Sequence, residues 1–201
     1  NKKAVCVTVD LSTKVISDEF LLKGIDQPRA LSFVNGQIII AGQDGRGARI
    51  ESYSAGKRKA FKKIGNKFLI TQMVEFGGRI FVTGCSSQKE FSEDFFLSCF
   101  ESSGNLISES WSVLTKSSLG GVEIGTSLLP MSDGGVMVGG NFSKSWKLGQ
   151  STPTGKLALF TGEGDAVKNF DSFLARYDEN GNLSWAQESG FSGNDFLMDQ
   201  V

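Results

Sequence analysis

"DSFLARYDENGNLSWAQESG", residues 171–190, contains the local pattern from which the fold can be predicted. Residues 172–177 mix aromatic, branched and polar side chains at the short period of a half-buried strand, and residues 183–186 resume that pattern. Between them, Asn180 and Gly181 supply two positions that tolerate a positive φ angle, which a tight hairpin turn needs. The segment therefore predicts a strand, a turn and a second strand.

The same hairpin pattern occurs three more times in the chain. "FFLSCFESSGNLISESW" at 95–111 repeats the apolar strand, the acidic residue, the Gly-Asn-Leu turn and the tryptophan, so that Trp111 parallels Trp185. More divergent copies lie at 48–65 and 3–20. The hairpin therefore belongs to a series.

A second motif alternates with the hairpins. It places a glycine-containing turn before a run of β-prone residues that ends near another glycine, at 35–43, 77–85 and 134–142. A short apolar run precedes each copy, and no amphipathic helix separates the parts. One unit is therefore four short strands, and either the glycine-flanked strands or their immediate predecessors are expected to be the inner strands.

The spacing of the units indicates their architecture. The step from Gly36 to Gly78 is about 42 residues, the range in which a four-stranded repeat is a propeller blade. We expect an all-β fold, a β-propeller of four-stranded antiparallel blades that is incomplete in this chain, with about 40 to 50% strand and almost no helix. The expected units are 1–24, 25–66, 67–113 and 114–190, with 191–201 starting or closing a further blade.

These patterns resemble the bacterial seven-bladed β-propeller-type repeat, most specifically over residues 133–195. The resemblance implies four-stranded blades, a location outside the cytoplasm, at the cell surface or in the cell envelope, and one part of a larger protein. We therefore expect the intact gene product to be longer than 201 residues. A related bacterial repeat with a similar core implies the same fold, and neither family has catalytic residues to transfer.

Composition excludes several classes of function. The net charge of −1 and pI of about 5.6 provide no basic surface for nucleic acid, and no run approaches the roughly 18 apolar residues that span a membrane. The basic run at 56–63 is interpreted as a solvated strand edge. The chain has no histidine, which excludes Ser-His-Asp and Cys-His catalysis.

Other local patterns have simple structural interpretations. The three cysteines, Cys6, Cys85 and Cys99, lack the spacing of a zinc site and are interpreted as buried thiols, with at most one internal disulfide possible. Residues 178–182 favour a hairpin turn over a calcium loop, and the glycine-rich 42–51 favours a blade loop over a phosphate-binding loop. No metal site and no cofactor is predicted.

One insertion carries the candidate binding residues. Residues 143–170 separate the second and third strands of the last unit, and they read as a long loop or an extra hairpin. Trp146 and Phe160 are aromatic groups in this polar segment, flanked by Lys147 and Asp165, a pattern that interfaces use. The alternative is that Trp146 folds back with Leu148 as a small satellite core.

Three functions remain open. The first is a non-enzymatic scaffold that presents loops to a protein or a glycan. The second is a structural subunit of an extracellular or envelope assembly, in which neighbouring chains complete open blades. The third is a carbohydrate-active propeller enzyme that uses paired carboxylates.

Overall fold

The computed structural model describes residues 4–89, 92–103, 106–115, 121–143, 146–148, 158–160 and 170–190. Of these residues, 77% are in strands and none is in a helix. Within these described residues the strand share is above the 40 to 50% expected for the chain, and the strands of the three full sheets have 7–12 residues and extend beyond the apolar runs. No helix that could span a membrane is present in this described part of the chain.

Three antiparallel sheets have four strands each. Sheet I is formed by β3 (Gln27–Val34), β4 (Gln37–Asp44), β5 (Gly47–Ser54) and β6 (Lys57–Gly65), in that order. Sheet II is formed by β7 (Phe68–Phe76), β8 (Arg79–Lys89), β9 (Ser92–Ser103) and β10 (Leu106–Leu114). Sheet III is formed by β11 (Glu123–Pro130), β12 (Val136–Phe142), β15 (Asp171–Tyr177) and β16 (Leu183–Ser189).

Two strand pairs accompany the sheets. The N-terminal hairpin is β1 (Val5–Asp10) with β2 (Val15–Leu21), and the inserted pair is β13 (Trp146–Leu148) with β14 (Ala158–Phe160). The inserted pair lies between β12 and β15 in the chain, where an extra hairpin was one of the two expectations.

The sheets pack face to face in chain order, with a buried apolar cluster at each junction. The N-terminal hairpin packs on sheet I through Cys6, Phe20 and Tyr53. Sheets I and II share a cluster that contains Ile50 and Phe96, and sheets II and III share a cluster that contains Phe81 and Phe173. The first strand of sheet II, β7, contacts β3 and β11, the first strands of the two neighbouring sheets. The strands that meet between the sheets are therefore the immediate predecessors of the glycine-flanked strands.

This arrangement confirms the predicted fold class. The chain is all-β, its blades are four-stranded and antiparallel, and the described sheets do not close into a barrel, as in an incomplete propeller. The N-terminal hairpin has two strands where each full sheet has four.

A glycine opposite a bulge recurs in all three sheets. The first strand of each sheet has an irregular register, between Pro28 and Ala30 in sheet I, between Ile70 and Gln72 in sheet II, and between Gly125 and Ser127 in sheet III. A glycine of the second strand lies against a first-strand carbonyl beside each bulge, at Gly42, Gly84 and Gly140. A side chain there would collide with that carbonyl, which explains the second glycine of the repeated motif.

The hairpin turns differ from expectation in one respect. Asn35 and Gly36 both have positive φ, as do Ala55 and Gly56, so these turns have the expected two left-handed positions. At 178–182 positive φ occurs at Gly181 and not at Asn180, so the expected pair of left-handed residues is wrong there. The Asp178 carboxylate shapes this turn instead, because it accepts the backbone N–H groups of Asn180 and Asn182 at 2.9 and 2.8 Å.

Candidate ligand-binding face

Two kinds of loop lie together on one face of the molecule. One kind connects successive sheets, and the other connects the second and third strands within a sheet. The backbone N–H of Ser87, near the end of β8, donates to the carbonyl of Lys67 between sheets I and II at 2.8 Å. The backbone N–H of Ser143, just after β12, donates to the carbonyl of Val122 between sheets II and III, also at 2.8 Å. We call this the connection face.

A cleft of about 910 Å³ opens on the connection face at sheet I. Three connections border it: the approach to β3, the β4–β5 turn and the β6–β7 link. Its lining is mostly polar, with one aromatic residue: Asp26, Gln27, Gln43, Asp44, Gly45, Arg46, Gly47, Lys63, Asn66, Lys67 and Phe68.

The β4–β5 turn is held by the Asp44 carboxylate. This carboxylate accepts the backbone N–H of Arg46 at 2.7 Å and forms an ion pair with Arg49. Burial acts to raise the pKa of Asp44, but the Arg46 N–H and the charges of Arg49 and Arg46 outweigh it, so the pKa lies below its ordinary value. Asp44 is therefore an ionised, structurally engaged group, while the Arg46 side chain is 85% exposed at the rim.

The inner wall of the cleft is fixed by the Gln43 amide. Its oxygen accepts from Nε of Arg29 at 3.3 Å, and its nitrogen donates to the backbone carbonyl of Phe68 at 3.3 Å. The residue is 9% exposed, so both ends of the amide are held. Because Gln43 lies on sheet I and Phe68 on sheet II, this side chain ties the two sheets together beneath the cleft.

A buried charged cluster lies on the side of sheet I that faces the N-terminal hairpin. Glu51 is fully buried and is bound by Arg58 at 2.9 Å, by the hydroxyl of Tyr53, and more distantly by Arg49 at 3.8 Å. The Tyr53 oxygen also accepts the backbone N–H of Lys23 at 2.9 Å, which fixes the link from the hairpin to sheet I. Burial, together with the Glu51 carboxylate, raises the pKa of Tyr53, so the hydroxyl remains a donor.

This buried cluster was not foreseen from the sequence. Glu51 alternates with apolar residues along its strand, as a solvent-facing carboxylate does, and the N-terminal hairpin that covers it lies about 30 residues earlier in the chain. The signal that could have pointed to it is the pair of arginines, Arg49 and Arg58, around one glutamate beside a tyrosine.

Trp146, Lys147 and Phe160, three of the predicted binding residues, lie on the inserted pair and do not line the cleft. The backbone register places Trp146 opposite Phe160, with Lys147 next to it on β13. Asp165 lies outside the described residues. Leu148, at the end of β13, is fully buried in the cluster between sheets II and III, so this strand is anchored on the main core.

The described residues provide no assembled metal site. No group of three or more His, Cys, Asp or Glu side chains that could hold a metal ion occurs among them. The three cysteines are free thiols, and each is buried. The interpretation of the cysteines as small buried groups agrees with this arrangement.

No protein family matches this sequence, and no curated protein matches it either. The fold and the cleft are therefore the observations from which a function can be argued.

Proposed function

We propose that this chain is a non-enzymatic scaffold that binds a glycan or a protein segment in the cleft on its connection face. The observation that carries the proposal is the lining of the cleft at sheet I. Its amide and carboxylate side chains come from three connections that are fixed by hydrogen bonds to one another, so the donors and acceptors are pre-arranged.

The side chains of the cleft favour a glycan. Amide and carboxylate groups such as Gln27, Asn66 and Asp26 donate to and accept from hydroxyl groups, and Phe68 offers an aromatic surface. Open polar clefts of this kind suit an extended ligand rather than a small apolar one.

A binding role is favoured over catalysis because one of the two carboxylates that line the cleft is already engaged in the structure. Asp44 is ionised and engaged by Arg49, and the chain has no histidine to serve as a general base. The resemblance to the bacterial seven-bladed repeat supports a location outside the cell or in the bacterial envelope. Fractionation of the producing cells would test that location.

Binding to immobilised oligosaccharides, with an immobilised peptide library as the second arm, tests the proposal. Arg46→Ala and Asn66→Ala should each weaken retention at least tenfold, because both side chains line the cleft. Lys59→Ala, on the exposed edge of sheet I, is the matched control and should bind normally. Retention that is absent for both ligand classes, or unaffected by the cleft variants, would refute the proposal. Release of cut sugar that is lost in Asp26→Asn would instead favour the carbohydrate-active enzyme.

A structural subunit is the second candidate, and the N-terminal hairpin favours it. Val5, Val7 and Val9 are 46–49% exposed on the face of the hairpin that points away from sheet I. Apolar strand faces of this kind attract further strands or chains. Sedimentation at increasing concentration should then show oligomers that Val7→Lys abolishes, whereas a monomer at all concentrations would remove this candidate.

A further inference from the structure

Three cationic side chains line the cleft on the connection face, and they come from three different places in the fold. Arg46 belongs to the β4–β5 turn, Lys63 to β6 and Lys67 to the β6–β7 link. All three residues are exposed to solvent. Within the described part of the chain, Lys63 and Lys67 take part in no ion pair. Their ammonium groups are therefore open to a ligand.

The two carboxylates of the cleft balance only part of this positive charge. Asp44 is paired with Arg49, which lies outside the lining, and Nε of Arg46 is 3.8 Å from the same carboxylate. Asp26 is exposed, and no cation of the described residues is paired with it. The chain as a whole has a net charge of −1, so the excess of positive charge in the cleft is local.

Close backbone contacts hold the cations around one cleft. Gly47, the residue after Arg46, lies against the carbonyl of Gly65, where a side chain on Gly47 would collide. This approach joins the β4–β5 turn to the link that carries Lys67. The carbonyl of Lys67 in turn accepts the backbone N–H of Ser87 at 2.8 Å. The backbone that carries these charges is therefore arranged before a ligand binds.

An aromatic ring is fixed beside the cations. Phe68, the residue after Lys67, lines the cleft and is half-buried. Its ring meets Phe96 edge to face, with 5.0 Å between the ring centres, and it lies so close to Gly65 that a side chain there would collide with it. A fixed apolar surface next to exposed cations suits a ligand whose units combine an apolar face with a negative group.

We propose that the cleft recognises an acidic glycan, a sugar chain that carries carboxylate or sulfate groups. The side chains of Arg46, Lys63 and Lys67 bind the negative groups, since guanidinium and ammonium donors both pair with such oxygens. Asn66 binds hydroxyl groups, and Phe68 packs against a sugar ring. This inference rests on the proposed binding function of the cleft and adds the charge of the ligand to it.

Paired oligosaccharides that differ only in charge test the proposal on the full chain. Oligogalacturonate is compared with its methyl ester, and sulfated dextran oligomers with their unsulfated parent, by calorimetry. One acidic member should bind about tenfold more tightly than its neutral partner in about 50 mM salt. Most of that difference should disappear in about 500 mM salt, because screening weakens exposed charge pairs. The pair that shows the difference identifies the negative group.

The outcomes separate this inference from the proposed function. Equal binding of the acidic and neutral members would overturn the acidic ligand and leave a glycan-binding cleft. Binding of polyglutamate without binding of any sugar chain would also overturn it, because the ligand would then be an acidic protein segment. Binding of no sugar chain and no peptide would refute both proposals.

Variants of the cleft lysines separate charge from hydrogen bonding. Glutamine keeps an N–H donor, so Lys63→Gln with Lys67→Gln should weaken binding of the acidic oligomer about tenfold and leave the neutral one unchanged. Lys59→Gln is the matched control, an exposed lysine of β6 outside the lining, and should bind as the parent chain does. Asp26→Asn should strengthen binding of the acidic oligomer about threefold, because it removes a like charge. Equal losses for the acidic and neutral oligomers in the double variant would contradict the proposal.

Discussion

Trp111 of sheet II donates its indole N–H to the backbone carbonyl of Glu179 in sheet III at 3.0 Å. Its ring lies against Gly181, where a side chain would collide with it, and stacks on Tyr177 at 6.3 Å. Arg79, also on sheet II, donates to the same Glu179 carbonyl at 3.1 Å. One hairpin turn of sheet III is therefore held from the neighbouring sheet through its backbone.

Trp111→Phe should reduce the free energy of unfolding by about 1 kcal/mol, the ordinary loss of one such hydrogen bond. Trp185→Phe is the matched control, because Trp185 has the same place in its own sheet and pairs with Arg176 as Trp111 pairs with Cys99, but its side chain is 39% exposed. Its change should stay within about 0.5 kcal/mol. Urea unfolding followed by circular dichroism measures both, and equal losses in the two variants would contradict the role of the Glu179 contact.

Two buried tyrosines should respond oppositely to loss of their hydroxyl groups. Tyr53→Phe removes a donor from the fully buried Glu51 and an acceptor from the Lys23 N–H, so it should cost about 1 to 3 kcal/mol. The hydroxyl of Tyr177 has no hydrogen-bond partner among the described residues, and Tyr177→Phe should be neutral or stabilise by about 1 kcal/mol. Chemical denaturation of both variants measures the two changes in the free energy of unfolding. A similar loss of stability in each variant would show that the Glu51 cluster contributes nothing specific.

Substitution of three glycines by alanine should distinguish the stability cost of a steric collision from that of backbone strain. Gly84→Ala should cost about 3 kcal/mol or more, since its new methyl group would meet the Leu69 carbonyl. Gly36→Ala has open space but a φ of +77°, so about 1 kcal/mol is expected from the left-handed backbone alone. Gly45→Ala has neither obstacle and should change stability by less than about 0.5 kcal/mol. Thermal unfolding should rank the three variants in that order, and a tolerated Gly84→Ala would refute the glycine and bulge relationship.

The buried thiols should make stability fall at alkaline pH. Burial raises the pKa of Cys85 to about 12, with the Glu93 charge adding to the effect, and burial raises that of Cys99 to about 11. An unfolded thiol ionises near its ordinary value of 9.0, so the folded chain holds more protons above that pH. The contribution of these two thiols to the free energy of unfolding is complete below about pH 9, and it is lost as the pH rises toward their pKa values in the folded chain.

Urea unfolding between about pH 8 and about pH 10.5 measures this contribution. The variant with both Cys85→Ala and Cys99→Ala should lose less stability over that interval than the parent chain, whatever its stability at the lower pH. A thiol reagent should also react with these two residues only as fast as the chain unfolds. The same pH slope in the variant and the parent would show that other groups cause the loss.

Local patterns in the sequence predicted the sheets because four-stranded antiparallel units are built from neighbouring segments. The alternation around Phe173 and the glycine turns fix strands and hairpins within each unit. The bulge was not predicted, since nothing in "ITQ" at 70–72 marks an extra residue, although the opposing Gly84 was noticed. The expected left-handed conformation of Asn180 is wrong because the Asp178 carboxylate accepts the backbone N–H of Asn180, and this contact favours a different turn.

The cleft was harder to predict than the sheets because its walls are distant in sequence. Asp44 lies at the turn between the second and third strands of sheet I, and Phe68 follows the link between sheets I and II. The two residues line one cleft only when both connections lie on the same face. The glycine-rich stretch at 42–51 was interpreted as a blade loop, and it forms the β4–β5 turn that borders the cleft. Trp146 was predicted as a binding residue because an aromatic side chain is conspicuous in a polar segment, whereas the polar residues that line the cleft resemble those of any loop.

Sheet II is buried on both faces, and this determines how one end of the molecule can influence the other. Phe95 belongs to the cluster shared with sheet III and its neighbour Phe96 to the cluster shared with sheet I, so a single strand takes part in both. Sheets I and III share no buried cluster among the described residues. Any coupling between the proposed ligand of the cleft and the inserted pair would therefore run through sheet II, whose strands β8, β9 and β10 each contribute side chains to both clusters.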